Sequence, residues 1–491
     1  MVDLKVNDSY GLYINGDWTN IEGAEMLDSV SPATGKVLAK IVDAKDEDVD
    51  LAVSAAQEAL VSWRKWSLVD RSNLLLKIAD AIDAHQEHLA LVESMDNGKP
   101  IRETSTIDVP LSADHFRYFA GVIRSEEGSA TAFDEDTLSI VLREPIGVVG
   151  QIIPWNFPIL MAAWKIAPAL AAGNAIVIHP SSSTSLSLLE MVKIIGPLLP
   201  KGVLNVITGK GAKSGEYMLH HEGFNKLAFT GSTEVGYNVA KAAAERLIPA
   251  TLELGGKSAN IFFDDMPFEK AIEGAQLGIL FNQGQVCCAG SRIFVQEGIY
   301  DKFVGELKTK FESVIVGEPW KESTQMGAQV NESQVNKIEA AVAAGQKEGA
   351  TILTGGKRLN GELSQGCYMS PTLITDVTND MTIAREEIFG PVAVVIKFKT
   401  LEEVIELAND SDYGLGGGVW TSNINTALKV SRGIETGRVW VNTYNQIPAG
   451  SPFGGYKKSG IGRETHKAIL DNYSQFKNIY IDTNDSVMGL Y

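Results

Sequence analysis

The chain has 491 residues, a formal net charge of −18 at pH 7, and 44% hydrophobic against 21% charged residues. That length implies roughly two to four folding units of ordinary soluble globular composition. The acidic balance leaves no basic excess to neutralise phosphates, which excludes nucleic acid and an anionic membrane surface as partners. Three cysteines, two of them adjacent, cannot build a disulfide framework and point to a reducing, cytoplasmic setting. Met1-Val2-Asp3-Leu4-Lys5-Val6-Asn7-Asp8 carries neither a basic nor an apolar leader region, so no secretory signal is read.

Residues 13–18 read as a hairpin, with Asn15-Gly16 suited to a type I′ turn. Residues 46–63 and 71–95 read as helices, the first opening on acidic residues that favour its N-terminus. In 136–147, Leu138, Ile140 and Leu142 recur at every second position. This predicts an edge strand, open to pairing with another subunit. From Val148 the rhythm alternates: strands at 148–153, 175–179, 203–207 and 226–229, helices at 159–172, 183–195 and 213–221. Such alternation predicts a parallel sheet with helices on both faces, the architecture of nucleotide binders. The apolar run 157–180 is broken by Lys165, Pro168, Gly173 and Asn174. It therefore falls short of the ~20 residues of a membrane span and reads as a buried helix followed by a buried strand.

The turn Thr230-Gly231-Ser232-Thr233-Glu234-Val235-Gly236 leaves backbone N–H groups at a helix start, where a phosphate is favoured. Its G-x-x-x-x-G spacing differs from the usual dinucleotide fingerprint and suits a plain helix cap equally well. Gly209-Lys210-Gly211 reads as a turn. A second alternating region runs to about residue 450, with strands near 293–295, 392–398 and 439–442. Residues 478–482 form a strand-like run, expected to pair with 136–147 or with a neighbouring subunit.

Three loops carry the chemistry: Pro154-Trp155-Asn156-Phe157-Pro158, Thr251-Leu252-Glu253-Leu254-Gly255-Gly256-Lys257-Ser258, and Phe281-Asn282-Gln283-Gly284-Gln285-Val286-Cys287-Cys288. Loops at element ends are where catalytic groups are presented. Taken singly, each is ambiguous. Asn156 suits a helix cap, Glu253 a solvated strand end, and the cysteine pair either a nucleophile or a core-edge filler. The seven histidines form no metal-ligand pattern, so no metal is expected.

Together these segments resemble the NAD(P)-dependent aldehyde dehydrogenase superfamily across essentially the whole chain. Glu386-Glu387-Ile388-Phe389-Gly390-Pro391 and Ser451-Pro452-Phe453-Gly454-Gly455-Tyr456-Lys457-Lys458-Ser459-Gly460 extend the match. The resemblance implies an α/β fold with a Rossmann-like cofactor domain (1–125 and 146–254) and a catalytic domain (255–457). Oligomerisation strands (126–145 and 470–491) would complete a homotetramer or homodimer. Cys287 falls at the nucleophile position, Asn156 at the oxyanion donor and Glu253 at the general base; Cys288 is then a structural neighbour.

The same resemblance implies that Ile153 and Trp155 line the cofactor cleft and that Gly231 and Ser232 meet the pyrophosphate. Glu387 would hold the nicotinamide ribose, with Phe389 beside it. One departure stands out. Where the family commonly has Lys-Pro followed by a glutamate, this chain has His179-Pro180-Ser181-Ser182. Losing the glutamate removes a charge set against NADP, and losing the lysine removes a cation, unless His179 is protonated. NAD is the expected cofactor, with NADP possible. Phe157, Met161, Trp164, Phe281, Ile447 and Phe453 would line an apolar substrate tunnel for a short aliphatic aldehyde, in the manner of the bacterial acetaldehyde-oxidising branch. No cage for a quaternary ammonium is evident, which disfavours betaine aldehyde. Two alternatives stand beside this reading: an enzyme that passes the acyl group to coenzyme A, and a non-catalytic paralogue.

Overall fold

The computed structural model describes residues 4–491; the first three residues of the expected cofactor domain and leader region lie outside it. An eight-stranded sheet forms one half of the site. Its centre is five parallel strands in the spatial order Leu204–Val206, Ala175–His179, Val148–Ile152, Lys226–Thr230, Ala250–Glu253. Numbered along the chain, that order is 3-2-1-4-5, the doubly wound arrangement. The chain turns back between Val148–Ile152 and Lys226–Thr230, so a crevice opens at their carboxyl ends. The Tyr13–Ile14 and Asp17–Trp18 hairpin extends one edge through Asn15 (φ 54°) and Gly16 (φ 82°), as the Asn-Gly pair predicts. A seven-stranded sheet carries the second half, in the order 351–354, 372–375, 392–398, 292–296, 259–262, 416–420, 438–441, parallel except for the first strand.

Burial explains the sequence pattern. Strands Val148–Ile152 and Ala175–His179 lie between helix layers and are apolar at almost every position. Helix Pro158–Ala172 is buried from Pro158 to Ala171, and Gly173 ends it in the left-handed region at φ 87°. Among the described residues no helix is long and apolar enough to cross a membrane.

Two expectations change. The helix predicted over 71–95 is two, Leu68–Ala84 and Gln86–Asn97, broken at His85. There φ is −119°, and the ring Nδ1 bonds to the Ala81 carbonyl at 2.8 Å. The apolar stripe continues across the break because both helices cover one core. The 136–147 segment forms strand Thr137–Pro145, which is not an edge. It lies between Ser129–Ala132 and Ser474–Asp482, the latter antiparallel along nine residue pairs from Ser474↔Pro145 to Asp482↔Thr137. Alternation reports a sheet with one covered face, not a strand's place within it. The returning C-terminal strand that pairs here is the one expected from residues 478–482.

Candidate active site

Strand registry fixes Glu253. It is the last residue of its strand, opposite Thr230 on one side and Gly460 on the other. The carboxyl is 4% exposed and its Oε2 has no protein partner. Burial, and then the nearby Glu464 carboxylate, push its pKa well above the ordinary value, against the pull of Lys165 and Arg463. Gly454, at φ 155°, passes so close that a Cβ there would stand 2.8 Å from Glu253 Oε1. A side chain at 454 would displace the carboxylate.

The 281–288 loop is held by its own amides. Asn282, Gln283 and Gly284 all adopt left-handed backbone at φ 47°, 56° and 76°, a run that glycine and asparagine tolerate best. Gln283 Nε2 donates to Ala328 O at 2.9 Å, and Gln285 Oε1 accepts from Val330 N at 2.9 Å. Asn282 Nδ2 donates to Asn156 O at 2.7 Å, and Asn156 Nδ2 donates to Gln285 O at 2.9 Å. The Asn-Gln-Gly-Gln run thus fixes both its own turn and the orientation of Asn156. One amide proton of Asn156 is engaged with Gln285, which leaves the second for a ligand.

Cys287 follows and is half-buried, whereas Cys288 is buried, with its carbonyl accepting from Tyr444 Oη at 2.9 Å. The Cys288 thiol beside it, and then burial, raise the Cys287 pKa well above the usual thiol value. Cys287, Glu253 and Asn156 all border one cavity of about 220 Å³. It lies at the carboxyl ends of Val148–Ile152 and Lys226–Thr230, where the sheet's winding reverses.

All six predicted substrate residues, Phe157, Met161, Trp164, Phe281, Ile447 and Phe453, line this cavity. Trp155, Gly231, Ser232, Glu387 and Phe389 line the same cavity. Ser232 caps helix Thr233–Glu245, its Oγ accepting from Val235 N at 3.3 Å. Glu387 accepts from Gly256 N at 2.8 Å, and burial raises its carboxyl to about 7. A helix start for a pyrophosphate and a carboxylate for ribose hydroxyls are the donor set a dinucleotide needs. Three predicted cofactor residues stand elsewhere. Ile153 is packed in the core, and His179 is buried with Nε2 on Ser214 Oγ at 2.9 Å. Burial lowers His179 to about 4, so it is a neutral imidazole at pH 7. Ser182 borders a separate hollow with Lys210 and Asn331. Among the described residues no cluster of potential ligands could hold a metal ion.

The sequence profile of the aldehyde dehydrogenase family matches residues 18–479. The chain belongs to the aldehyde dehydrogenase family. It is 49% identical to aldehyde dehydrogenase B of Escherichia coli K12, over 99% of this chain and 96% of that relative. An aldehyde dehydrogenase from Bacillus cereus, solved as an NAD+ complex, matches at TM-score 0.95 and 43% identity, over 97% of both chains. Betaine aldehyde dehydrogenase from Staphylococcus aureus, also solved with NAD+, matches at TM-score 0.96 and 39% identity, over 98% of this chain and 96% of that one.

Sequence reasoning missed part of this aldehyde dehydrogenase's site. Ile107 and Leu111 enter the cavity wall from the π-helical turn Thr104–Asp108 and the helix after it. Nothing in the local sequence signals that extra residue per turn. Behind Glu253, Lys165 Nζ meets Glu464 Oε1 at 2.6 Å, both side chains 1% exposed. Here a signal existed, because a lysine inside an apolar helix must find a partner. Lys165→Met strands the Glu464 carboxylate and is expected to cost about 3–5 kcal/mol of stability, measured by urea unfolding. Adding Glu464→Gln should recover part of that loss.

Proposed function

We propose that this aldehyde dehydrogenase oxidises short-chain aliphatic aldehydes to carboxylates by NAD+ through an acyl-Cys287 thioester. The supporting observation is the meeting of a thiol, a carboxyl and an amide donor on one apolar cavity that is also lined by groups suited to a dinucleotide. Cys287 Sγ attacks the aldehyde carbon, and its proton passes to the Glu253 carboxylate. The new oxyanion takes the free Asn156 amide proton and the Cys287 backbone N–H. The nicotinamide, when bound, accepts the hydride and leaves a thioester on Cys287. Glu253 releases the thiol proton to solvent, then takes a proton from the water that attacks the thioester and returns it to the departing Cys287 sulfur. The carboxylic acid formed loses the second proton to solvent. The balance is RCHO + NAD+ + H2O to RCOO− + NADH + 2 H+.

A carboxyl beside the thioester favours hydrolysis over transfer to coenzyme A. The assay is propanal with NAD+ and no coenzyme A, where NADH should accumulate; no NADH would sink the hydrolytic reading. A series of aldehydes of increasing chain length, run with NAD+ and NADP+, then ranks substrate and cofactor. The neutral His179 offers no cation to a 2′-phosphate, which supports NAD+. The Phe157 ring is already engaged by Lys99 Nζ, 3.9 Å from its centroid. Phe281 lies 5.8 Å from Phe157, and Trp164 lies 5.4 Å from Phe453, so these rings pack on each other. Such a wall suits an uncharged tail better than a trimethylammonium group. Asn156→Ala should lower kcat by about 10²–10³-fold, the loss typical of one oxyanion donor, with cofactor affinity unchanged in a fluorescence titration.

The chain is also proposed to assemble with copies of itself, as a tetramer or dimer. Leu142, Phe476, Ile479 and Tyr480 are exposed on the sheet formed by 129–132, 137–145 and 474–482. The register puts Leu142 and Ile479 on one face and Phe476 and Tyr480 on the other, and exposed apolar side chains of this kind favour a partner. Phe476→Asp should shift sedimentation velocity toward smaller species.

A further inference from the structure

Four side chains from one short segment grip the two loops that carry Asn156 and Cys287. The segment, 93–103, covers the end of helix Gln86–Asn97, the left-handed Gly98 (φ 91°) and the short helix Ile101–Glu103. Asn97 Nδ2 donates to Trp155 O at 2.7 Å, and Lys99 Nζ sits 3.9 Å from the centroid of the Phe157 ring. Glu93 Oε2 accepts from Ile159 N at 3.4 Å. These contacts take every second residue, 155, 157 and 159, and leave Asn156 between them facing the cavity. Lys99 is itself anchored by Asp108 at 2.6 Å, with the Glu93 carboxyl 3.8 Å away and all three side chains buried.

Glu103 makes the fourth contact, to the other loop. Helix Phe268–Leu280 stops at Phe281, whose ψ of 134° turns the chain out, and Asn282 follows in the left-handed region. The buried Asn282 N–H thereby loses the carbonyl that a continuing helix would offer it. An unpaired buried N–H is costly, and here Glu103 Oε2 accepts from it at 3.0 Å. Asn282 Nδ2 donates in turn to Asn156 O at 2.7 Å and to Gln285 O at 3.3 Å. Asn156 Nδ2 shares that Gln285 carbonyl, at 2.9 Å. A short chain of hydrogen bonds thus joins Glu103 to the Asn156 amide.

We propose that Glu103 is a positioning residue for the first chemical step: by holding the Asn282 backbone it sets the direction of the Asn156 amide that receives the oxyanion. The inference rests on the function proposed above. Glu103 does not border the cavity, so it acts through Asn282 and Asn156 and does not touch the aldehyde. Burial raises its carboxyl to about 8, against the pull of Lys99, so near pH 7 it is mostly the neutral acid. Glutamine has nearly that shape and keeps a carbonyl oxygen for the Asn282 N–H, whereas methionine has the length without that acceptor.

Single-turnover NADH formation, with enzyme in excess over propanal and NAD+ saturating, reads this step alone. Glu103→Met should slow it by about 10–100-fold, the scale of a small misplacement at a reacting centre, and Glu103→Gln should recover most of the rate. In the steady state the loss should fall on kcat more than on KM, with NAD+ affinity unchanged in a fluorescence titration. The deciding readout is a pair of backgrounds. With Asn156→Ala already present, Glu103→Met should cost less than about threefold, because the donor it aims is gone. Loss of packing alone would slow both backgrounds by the same factor. Glu103→Asp, which draws the acceptor back by one methylene, should show a smaller loss with the same dependence on background, so the test does not need the methionine variant to fold. Equal effects in the two backgrounds, or a glutamine variant as slow as the methionine one, overturns the role. An active wild type with an unaffected Glu103→Met overturns the role alone; a wild type that forms no NADH overturns the proposed function and the role with it.

Discussion

Cys287→Ser is expected to lower kcat by about four to six powers of ten, the scale of losing a covalent nucleophile. Cys288→Ala should leave most of the activity. The two residues are neighbours in sequence, yet the fold treats them differently. Cys287 is half-buried on the cavity, and Cys288 is 1% exposed with its carbonyl tied to Tyr444. The Cys288 thiol is the first cause of the raised Cys287 pKa. Removing it should therefore let Cys287 ionise at lower pH, and the rate of iodoacetamide alkylation against pH reads that shift. Cys287→Ser should still bind NAD+ in a fluorescence titration, which separates loss of chemistry from loss of fold. An inactive Cys288→Ala beside an active Cys287→Ser would reverse the assignment.

What the sequence made legible follows from what its signals report. The alternation after Val148 marks strands and helices because both faces of the central sheet are covered, so the strands are apolar at most positions. The three loops expected to carry the chemistry are legible as motifs, and the fold explains their composition. Asn282, Gln283 and Gln285 are amides because their side chains bond across to Asn156, Ala328 and Val330. The illegible parts depend on long-range geometry. Thr137–Pro145 becomes a central strand only because a strand more than 300 residues later returns to it. The environment of His179 depends on Ser214, which comes from a different turn. The Lys165–Glu464 pair joins residues 299 apart, so sequence can announce the need for a partner but not name it.

Glu253→Gln should lower steady-state kcat by about 10²–10⁴-fold, the usual contribution of a general base. The loss should concentrate in hydrolysis of the thioester. A rapid-mixing experiment should then show a burst of NADH near one per active site, followed by a slow steady state. The pH dependence has a definite sign. Burial and Glu464 hold the Glu253 pKa well above the ordinary carboxyl value, and the neighbouring Cys288 and burial do the same for the Cys287 thiol. In the proposed mechanism Glu253 acts ionised and takes the thiol proton, so kcat/KM should rise as pH increases through the raised Glu253 pKa and fall on the acid side. Glu253→Gln removes that ionisation, so its profile should lose this limb and rise only with the thiol, which must then ionise without a base. Lys165 opposes the upward shift of Glu253. Lys165→Met should therefore move the Glu253 limb to still higher pH, whereas general destabilisation would lower activity at every pH without moving the limb. A wild-type profile with no limb above the ordinary carboxyl range would remove Glu253 from the mechanism, since burial and Glu464 raise its carboxyl.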